Sequence, residues 1–271
     1  MRRPIFAANW KMNHGPSDAR AFLNTFLHYF PRNRERDRTV MFFPPALTLH
    51  AVVEQLRDRP DILIGVQNIY HEDKGAFTGE NSAPIARDAG ARFVLVGHSE
   101  RRHVFGETEE ETAKKCAAAF RAGLTPMLCV GEKLEERERG ETGAVVLRQL
   151  RAGLSLLEHD RVANVLVAYE PVWAIGTGKT ATPEDASAVH RVIRAALREL
   201  AGERGAVIPI LYGGSVNRGN AQAILAAPEV DGVLVGGASL DADAWSSIVR
   251  SEAPGAPRTR SLTPGGLDQM R

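Results

Sequence analysis

Residues 165–200 read VLVAYEPVWAIGTGKTATPEDASAVHRVIRAALREL. The opening run, VLVAY, has no polar alternation, which suits a parallel strand buried on both faces. It stops at a carboxylate, Glu170, and Pro171 follows at once. A loop of mixed apolar and glycine residues comes next, containing Trp173, Gly176 and Gly178. A helix start is then written in residue types: Thr182 as N-cap, Pro183 in the first helical position, Glu184 and Asp185 in the first turn. Strand, loop and helix in this order make one β/α unit, with a carboxylate held at the C-terminal end of its strand.

The segment GTGKT, residues 176–180, looks like the end of a phosphate-binding P-loop. The spacing rejects that reading. The opening glycine would fall at position 173, which is Trp173, and the helix starts at Thr182 rather than at Lys179. The segment reads instead as a catalytic residue followed by a hinged lid.

The same unit recurs along the chain. Eight short apolar runs stand out: IFAANW, VMFFPP, ILIGVQN, RFVLVGH, TPMLCVGE, VLVAYEP, IPILYGG and GVLVGGA. Amphipathic segments lie between them, among them SDARAFLNTFLHYF, ETEEETAKKCAAAFRAG and TPEDASAVHRVIRAALREL. Ser17 or Asp18 is the expected start of the first, Gly123 the stop of the second, Thr182 the start of the third. Eight strand–helix units in a chain of 271 residues fit a single α/β domain, a (β/α)8 barrel with parallel strands. A doubly wound open sheet is the alternative, but it normally uses fewer strands at this length. The barrel is expected to span residues 1–252. Residues 253–271, rich in Pro, Gly and polar types, read as a flexible tail.

Composition narrows the function. Hydrophobic content of 44% and charged content of 25% are ordinary for a globular protein, and a net charge of +1 gives no reason to expect nucleic acid or an anionic membrane as partner. The apolar part of the N-terminus, IFAA, is too short for a secretory signal core, and no stretch approaches a membrane span. Cys116 and Cys129 are not in a C-x-x-C arrangement and read as buried, reduced thiols. A cytoplasmic protein is expected. The eight histidines form no tight ligand pairing, so no metal site is expected.

In a barrel of this kind, chemistry collects where strands end. Those positions hold Asn9 and Lys11 after strand one, His98 and Glu100 after strand four, and Glu170 after strand six. Strand seven ends in YGGS, with Ser215, and strand eight in VGGASL, with Gly236 and Gly237. Singly, each has a plainer reading: a lone lysine or glutamate is usually a solvated charge, a histidine a satisfied structural one, a glycine pair a tight turn. One architecture brings them all to the same rim. Glycine-rich turns after strands seven and eight let backbone N–H groups approach a phosphate. A carboxylate, an imidazole and an ammonium then suit proton abstraction beside a carbonyl.

The motifs NWKMN, QN…GAFTGE, GHSERR, CVGE, YEPVWAIGTGKTAT, YGGSV and VGGASL resemble those of the triosephosphate isomerase family, in that family's order. The resemblance implies interconversion of dihydroxyacetone phosphate and D-glyceraldehyde 3-phosphate, in glycolysis and gluconeogenesis, with no cofactor. It implies Glu170 as base, a neutral His98 as electrophile and proton shuttle, Lys11 as the charge that steadies an enediolate, and Asn9 as an orienting group. It pairs Glu100 with Lys11, and it gives Gly176, Ser215, Gly236 and Gly237 to the phosphate. It also implies a homodimer through the loop 75–80, with Thr78 placed near the neighbour's Asn9 and Lys11. The start of the helix after that loop, Asn81-Ser82-Ala83-Pro84, is unusual for the family, and the C-terminal tail exceeds its usual end. Two other readings stay open: a barrel enzyme for a longer sugar phosphate, and a binding protein without activity.

Overall fold

The structure is a computed structural model that describes residues 3–32, 37–175 and 180–251. Its strands are β1 (Ile5–Asn9), β2 (Thr39–Phe43), β3 (Ile62–Val66), β4 (Phe93–Val96), β5 (Thr125–Val130), β6 (Leu166–Tyr169), β7 (Ile210–Tyr212) and β8 (Gly232–Val235). Each pairs in parallel with the next, and β8 pairs with β1, closing the barrel. The barrel reading stands and the open sheet does not. The expected tail, residues 253–271, lies outside the described residues.

Closure explains why the strand sequences are apolar without alternation. Successive side chains still point to opposite faces, but both faces are dry. One set fills the lumen: Ile5, Ala7, Met41, Phe43, Leu95, Met127, Cys129, Leu166, Ala168, Leu211 and Leu234. The alternate set, including Phe6, Ala8, Phe42, Val96, Val130, Val167 and Tyr169, packs outward against the helices. Aromatic residues cluster where β1 and β2 meet the first helix. Trp10 lies 5.0 Å edge-on from Phe22, and Phe42 lies 5.4 Å from Phe26 and 6.2 Å from Trp245.

The helix ends are set by local chemistry. Helix Pro183–Ala201 is capped as expected: Thr182 Oγ1 accepts from the Asp185 N–H at 3.1 Å, and Asp185 Oδ2 accepts from the Thr182 N–H at 3.0 Å. Helix Glu109–Arg121 is followed by Gly123 at φ +74°, a left-handed position that glycine adopts without a Cβ penalty. The first helix, Pro16–Tyr29, starts earlier than expected, at Gly15, because Pro16 supplies a fixed helical φ and Asp18 reaches back to the Gly15 N–H at 3.3 Å. Ser82 is an ordinary N-cap for helix Ala83–Asp88, its Oγ accepting from the Ile85 N–H at 3.4 Å. Both cysteines are free and buried, and burial pushes the Cys116 thiol up to about 12. Among the described residues, no helix is long and apolar enough to cross a membrane.

The seam between β8 and β1 has no room for a side chain at Gly232. A Cβ there would sit 2.1 Å from the Ile5 carbonyl oxygen. Gly232→Ala should therefore destabilise the barrel by ~3 kcal/mol, through forced separation of the closing strands. Urea denaturation measures it; a midpoint equal to the parent's would mean that the seam yields without cost.

Candidate active site

The strand period of two decides what lies at the barrel mouth. Two residues beyond the uppermost lumen side chains of β1, β4, β5, β6, β7 and β8 come Asn9, Gly97, Gly131, Glu170, Gly213 and Gly236, and Gln67 comes four beyond Leu63 of β3. Three are polar and four are glycine. The glycines leave space that the polar side chains take. A Cβ at Gly213 would lie 2.9 Å from Glu170 Cγ, one at Gly131 only 1.7 Å from the Glu170 carbonyl oxygen, and one at Gly236 3.0 Å from Lys11 Cε.

Glu170, 2% exposed, is met by donors from the β4 end. The Ser99 N–H donates to Oε2 at 2.9 Å, and Ser99 Oγ lies 3.3 Å from Oε1. His98 Nε2 lies 2.9 Å from Glu170 Oε1. Asn9 Nδ2 approaches the same Nε2 at 3.2 Å, while Asn9 Oδ1 accepts from the Lys11 N–H at 3.0 Å. Lys11 has φ +52°, a left-handed value that a non-glycine residue holds only when its surroundings insist. Gln67 is part of that insistence: its Nε2 donates to the Lys11 carbonyl at 2.8 Å and to the Phe43 carbonyl at 2.9 Å. Lys11 Nζ reaches Glu100 Oε1 at 2.5 Å, the pairing expected for Glu100.

His98 caps a short helix, Ser99–His103, and the Glu100 N–H points at its Nδ1 at 3.3 Å. Burial opposes the imidazolium, but the charge and hydrogen bond of Glu170, helped by Glu100, outweigh it, so the ring's pKa lies above the usual histidine value. Burial also opposes the Glu170 carboxylate, yet His98, the Ser99 N–H and Lys11 hold its pKa below the usual carboxylate range. The contact with Glu170 thus favours a charged ring, contrary to the neutral one expected. The Glu100 N–H acts the other way, since it requires Nδ1 as an acceptor.

A cleft of about 280 Å³ opens over this group. Asn9, Lys11, His98, Glu170, Ser215, Gly236 and Gly237 all line it. Ile175, in the loop after β6, borders it. Gly176 lies outside the described residues. Glu100 stands behind Lys11. Among the described residues, no three His, Cys, Asp or Glu side chains are grouped to hold a metal ion.

Three further residues escape the sequence reading. Ser99 and Gln67 lie inside the motifs GHSERR and QN…GAFTGE but receive no role of their own from the resemblance. Glu132 closes the motif CVGE, two residues past the end of β5. It is fully buried, accepting from the Tyr169 hydroxyl at 3.1 Å and from Trp173 Nε1 at 2.9 Å. Burial pushes its pKa up. Its backbone carbonyl accepts from the Val172 N–H at 3.1 Å, so Glu132 anchors the start of the loop after β6.

Comparison with known proteins agrees with this geometry. The family model of triosephosphate isomerase matches residues 4–252. The triosephosphate isomerase of Moorella thermoacetica is 49% identical over 92% of this chain and 98% of its own, and that of Roseiflexus sp. (strain RS-1) is 48% identical over 92% and 97%. The crystal structure of triosephosphate isomerase from Bartonella henselae superposes with a TM-score of 0.81 at 37% identity, covering 91% of this chain and 97% of that one. With its closed barrel and its match across nearly the whole chain, this protein belongs to the triosephosphate isomerase family, whose members interconvert dihydroxyacetone phosphate and D-glyceraldehyde 3-phosphate in glycolysis.

Proposed function

We propose that Glu170 is the base of this isomerisation and that His98, Asn9 and Lys11 stabilise the charge it creates. The carboxylate takes the proton from the carbon beside the carbonyl; the C–H electron pair becomes the new C=C bond and the carbonyl π pair moves onto its oxygen. An enediolate forms. His98 Nε2–H and Asn9 Nδ2–H donate to its oxygens, and the Lys11 ammonium offsets its negative charge. Glu170 then returns a proton to the neighbouring carbon, while His98 moves a proton between the two oxygens. Glu100 holds Lys11 in place.

The observation that carries this reading is the convergence at His98 Nε2. Glu170 lies 2.9 Å away and Asn9 Nδ2 3.2 Å away. Two donors facing each other at one point suit a third party, an acceptor oxygen between them. A substrate oxygen there takes the His98 hydrogen bond from Glu170, leaving the carboxylate free to act as a base. It also removes the contact that favours a charged ring, so the Glu100 N–H on Nδ1 then favours the neutral donor.

The phosphate is held by Ser215 and the N–H groups of Gly236 and Gly237, which line the same cleft, and Gly176, outside the described residues, is assigned to it by the family resemblance alone. We also infer that residues 1–252 carry the activity, which the family match through residue 252 supports, and that the enzyme acts in the cytoplasm.

We infer a homodimer as well. Five of the exposed large apolar side chains, Met12, Leu47, Phe77, Ile85 and Phe105, come from the segments that follow strands β1 to β4. A 220 Å³ groove is lined in part by Ala46, Leu49, Gln67 and Ile85, from the same segments. The loop 75–80 presents Phe77, whose ring rests 4.5 Å from Tyr70. A second copy of this loop seated in the groove brings Thr78 toward Asn9 and Lys11. Apolar surface of this kind is what a stable partner covers.

Glu170→Asp should keep fold and substrate binding and lose turnover by about a hundredfold, because the shorter arm withdraws the base by about 1 Å. Coupled assays with triose phosphate measure it, and near-normal turnover removes Glu170 from the role. Stability carries a second signature. The raised His98 value gives stabilisation that is full below about pH 6.5 and lost as pH rises through the folded-state value. The lowered Glu170 value gives stabilisation present above about pH 4.3 and lost as pH falls through its folded-state value. The stability difference between parent and Glu170→Gln should therefore peak between about pH 4.5 and 6.5. A difference that ignores pH would mean that the pair is not ionised in the folded protein. Thr78→Arg, finally, should shift the protein toward monomer and lower activity in parallel, by sedimentation and assay at matched concentrations. A fully active monomer overturns the inferred role of the loop.

A further inference from the structure

We propose that His14 is a positioning residue for the phosphate-binding turn after β8, acting through a hydrogen bond from its ring to the Leu240 carbonyl. This rests on the reading of Gly236 and Gly237 as phosphate holders. The turn Gly237–Ser239 spends two N–H groups on itself: Ser239 N–H donates to the Gly236 carbonyl at 2.8 Å and Leu240 N–H to the Gly237 carbonyl at 3.1 Å. Its glycine edge borders the cleft. Its back is held by two ring N–H groups from the segment after β1. Trp10 Nε1 donates to the Ser239 carbonyl at 3.2 Å, and His14 Nε2 lies 3.0 Å from the Leu240 carbonyl. A carbonyl only accepts, so Nε2 carries the proton.

The bracket is itself tightly set. The Trp10 and His14 rings meet edge to face at 4.9 Å, and His14 also rests 5.5 Å from Phe22. His14 has φ +61°, and Thr48 Oγ1 donates to its carbonyl at 2.7 Å. A left-handed backbone is unfavourable at a non-glycine residue, and the ring bond and the Thr48 bond are what hold it. The consequence reaches the chemistry because the turn packs close to Lys11: a Cβ on Gly236 would lie 3.0 Å from Lys11 Cε, so the glycine leaves the space that the lysine stem takes. One bracket thus sets both the phosphate edge and the surface on which the lysine stem lies.

The test compares His14→Met with His14→Gln. Both side chains are unbranched and similar in length; only Gln restores an N–H at the reach of Nε2. The readouts are KM for triose phosphate, kcat, and the inhibition constant of inorganic phosphate, with circular dichroism confirming the fold. His14→Met should raise KM and the phosphate inhibition constant together by roughly three- to tenfold, the size expected for one hydrogen bond, with the smaller part of the loss in kcat. His14→Gln should recover most of both. Unchanged constants in His14→Met overturn the proposal, and so does equal damage in both variants, which would assign the effect to ring packing. If inorganic phosphate does not compete with substrate in the parent enzyme, the phosphate reading falls and this inference with it. Nitrogen-15 spectra of histidine-labelled parent protein give a check without any variant: His14 should be protonated at Nε2 in slow exchange, and a ring carrying its proton on Nδ1 alone overturns the bond.

Discussion

A carboxylate buried at a strand end is the constraint on which this structure turns. Glu170 is 2% exposed, and an ionised group so placed must find donors or give up its charge. Its own strand has none to offer, since the β6 backbone is engaged with β5 and β7. The donors come from β4, two strands away, through His98 and Ser99. Only a closed barrel with all strands parallel turns the ends of β1, β4, β6 and β8 toward one small volume. The catalytic group is therefore a consequence of closure, and the seam at Gly232 bears on chemistry as well as on stability.

Much of this was legible in the sequence. The apolar runs without alternation announced strands dry on both faces. Thr182-Pro183 and Gly123 marked helix ends by mechanisms that do not depend on tertiary context. The rim residues Asn9, Lys11, His98, Glu100 and Glu170 could be placed because strand ends are easy to read. The first helix start was misjudged because Pro16 overrode the more familiar Ser17 and Asp18. The upward shift of the His98 pKa was not legible, since it depends on a 2.9 Å contact with a residue 72 positions later. Gln67, Ser99 and Glu132 escaped because their roles are to hold other residues. A supporting hydrogen bond leaves no pattern in the chain that makes it.

One pattern was present and unread. At the barrel mouth glycine follows directly on β4, β5, β7 and β8, as Gly97, Gly131, Gly213 and Gly236, while Asn9 ends β1 and Gln67 and Glu170 follow directly on β3 and β6. A continuous apolar run hides its own period, so the facing is recovered only once the register is known. The glycines are then seen to be spaces for neighbouring side chains and backbone, as the 2.9 Å from a Gly213 Cβ to Glu170 Cγ makes plain. Polar function and absent side chains are two halves of one arrangement.

The two thiols give the molecule an unplanned instrument. Cys129 stands in the lumen and Cys116 under the helix layer, both shut from solvent. Burial also keeps both thiols protonated, so a reagent that needs a thiolate meets neither in the closed protein. Labelling is then gated by opening of the structure itself. Because the two sulfurs sit in different layers, their relative labelling rates distinguish a helix peeling away from a barrel coming apart. The native chain carries its own clock for unfolding, with one hand in each layer.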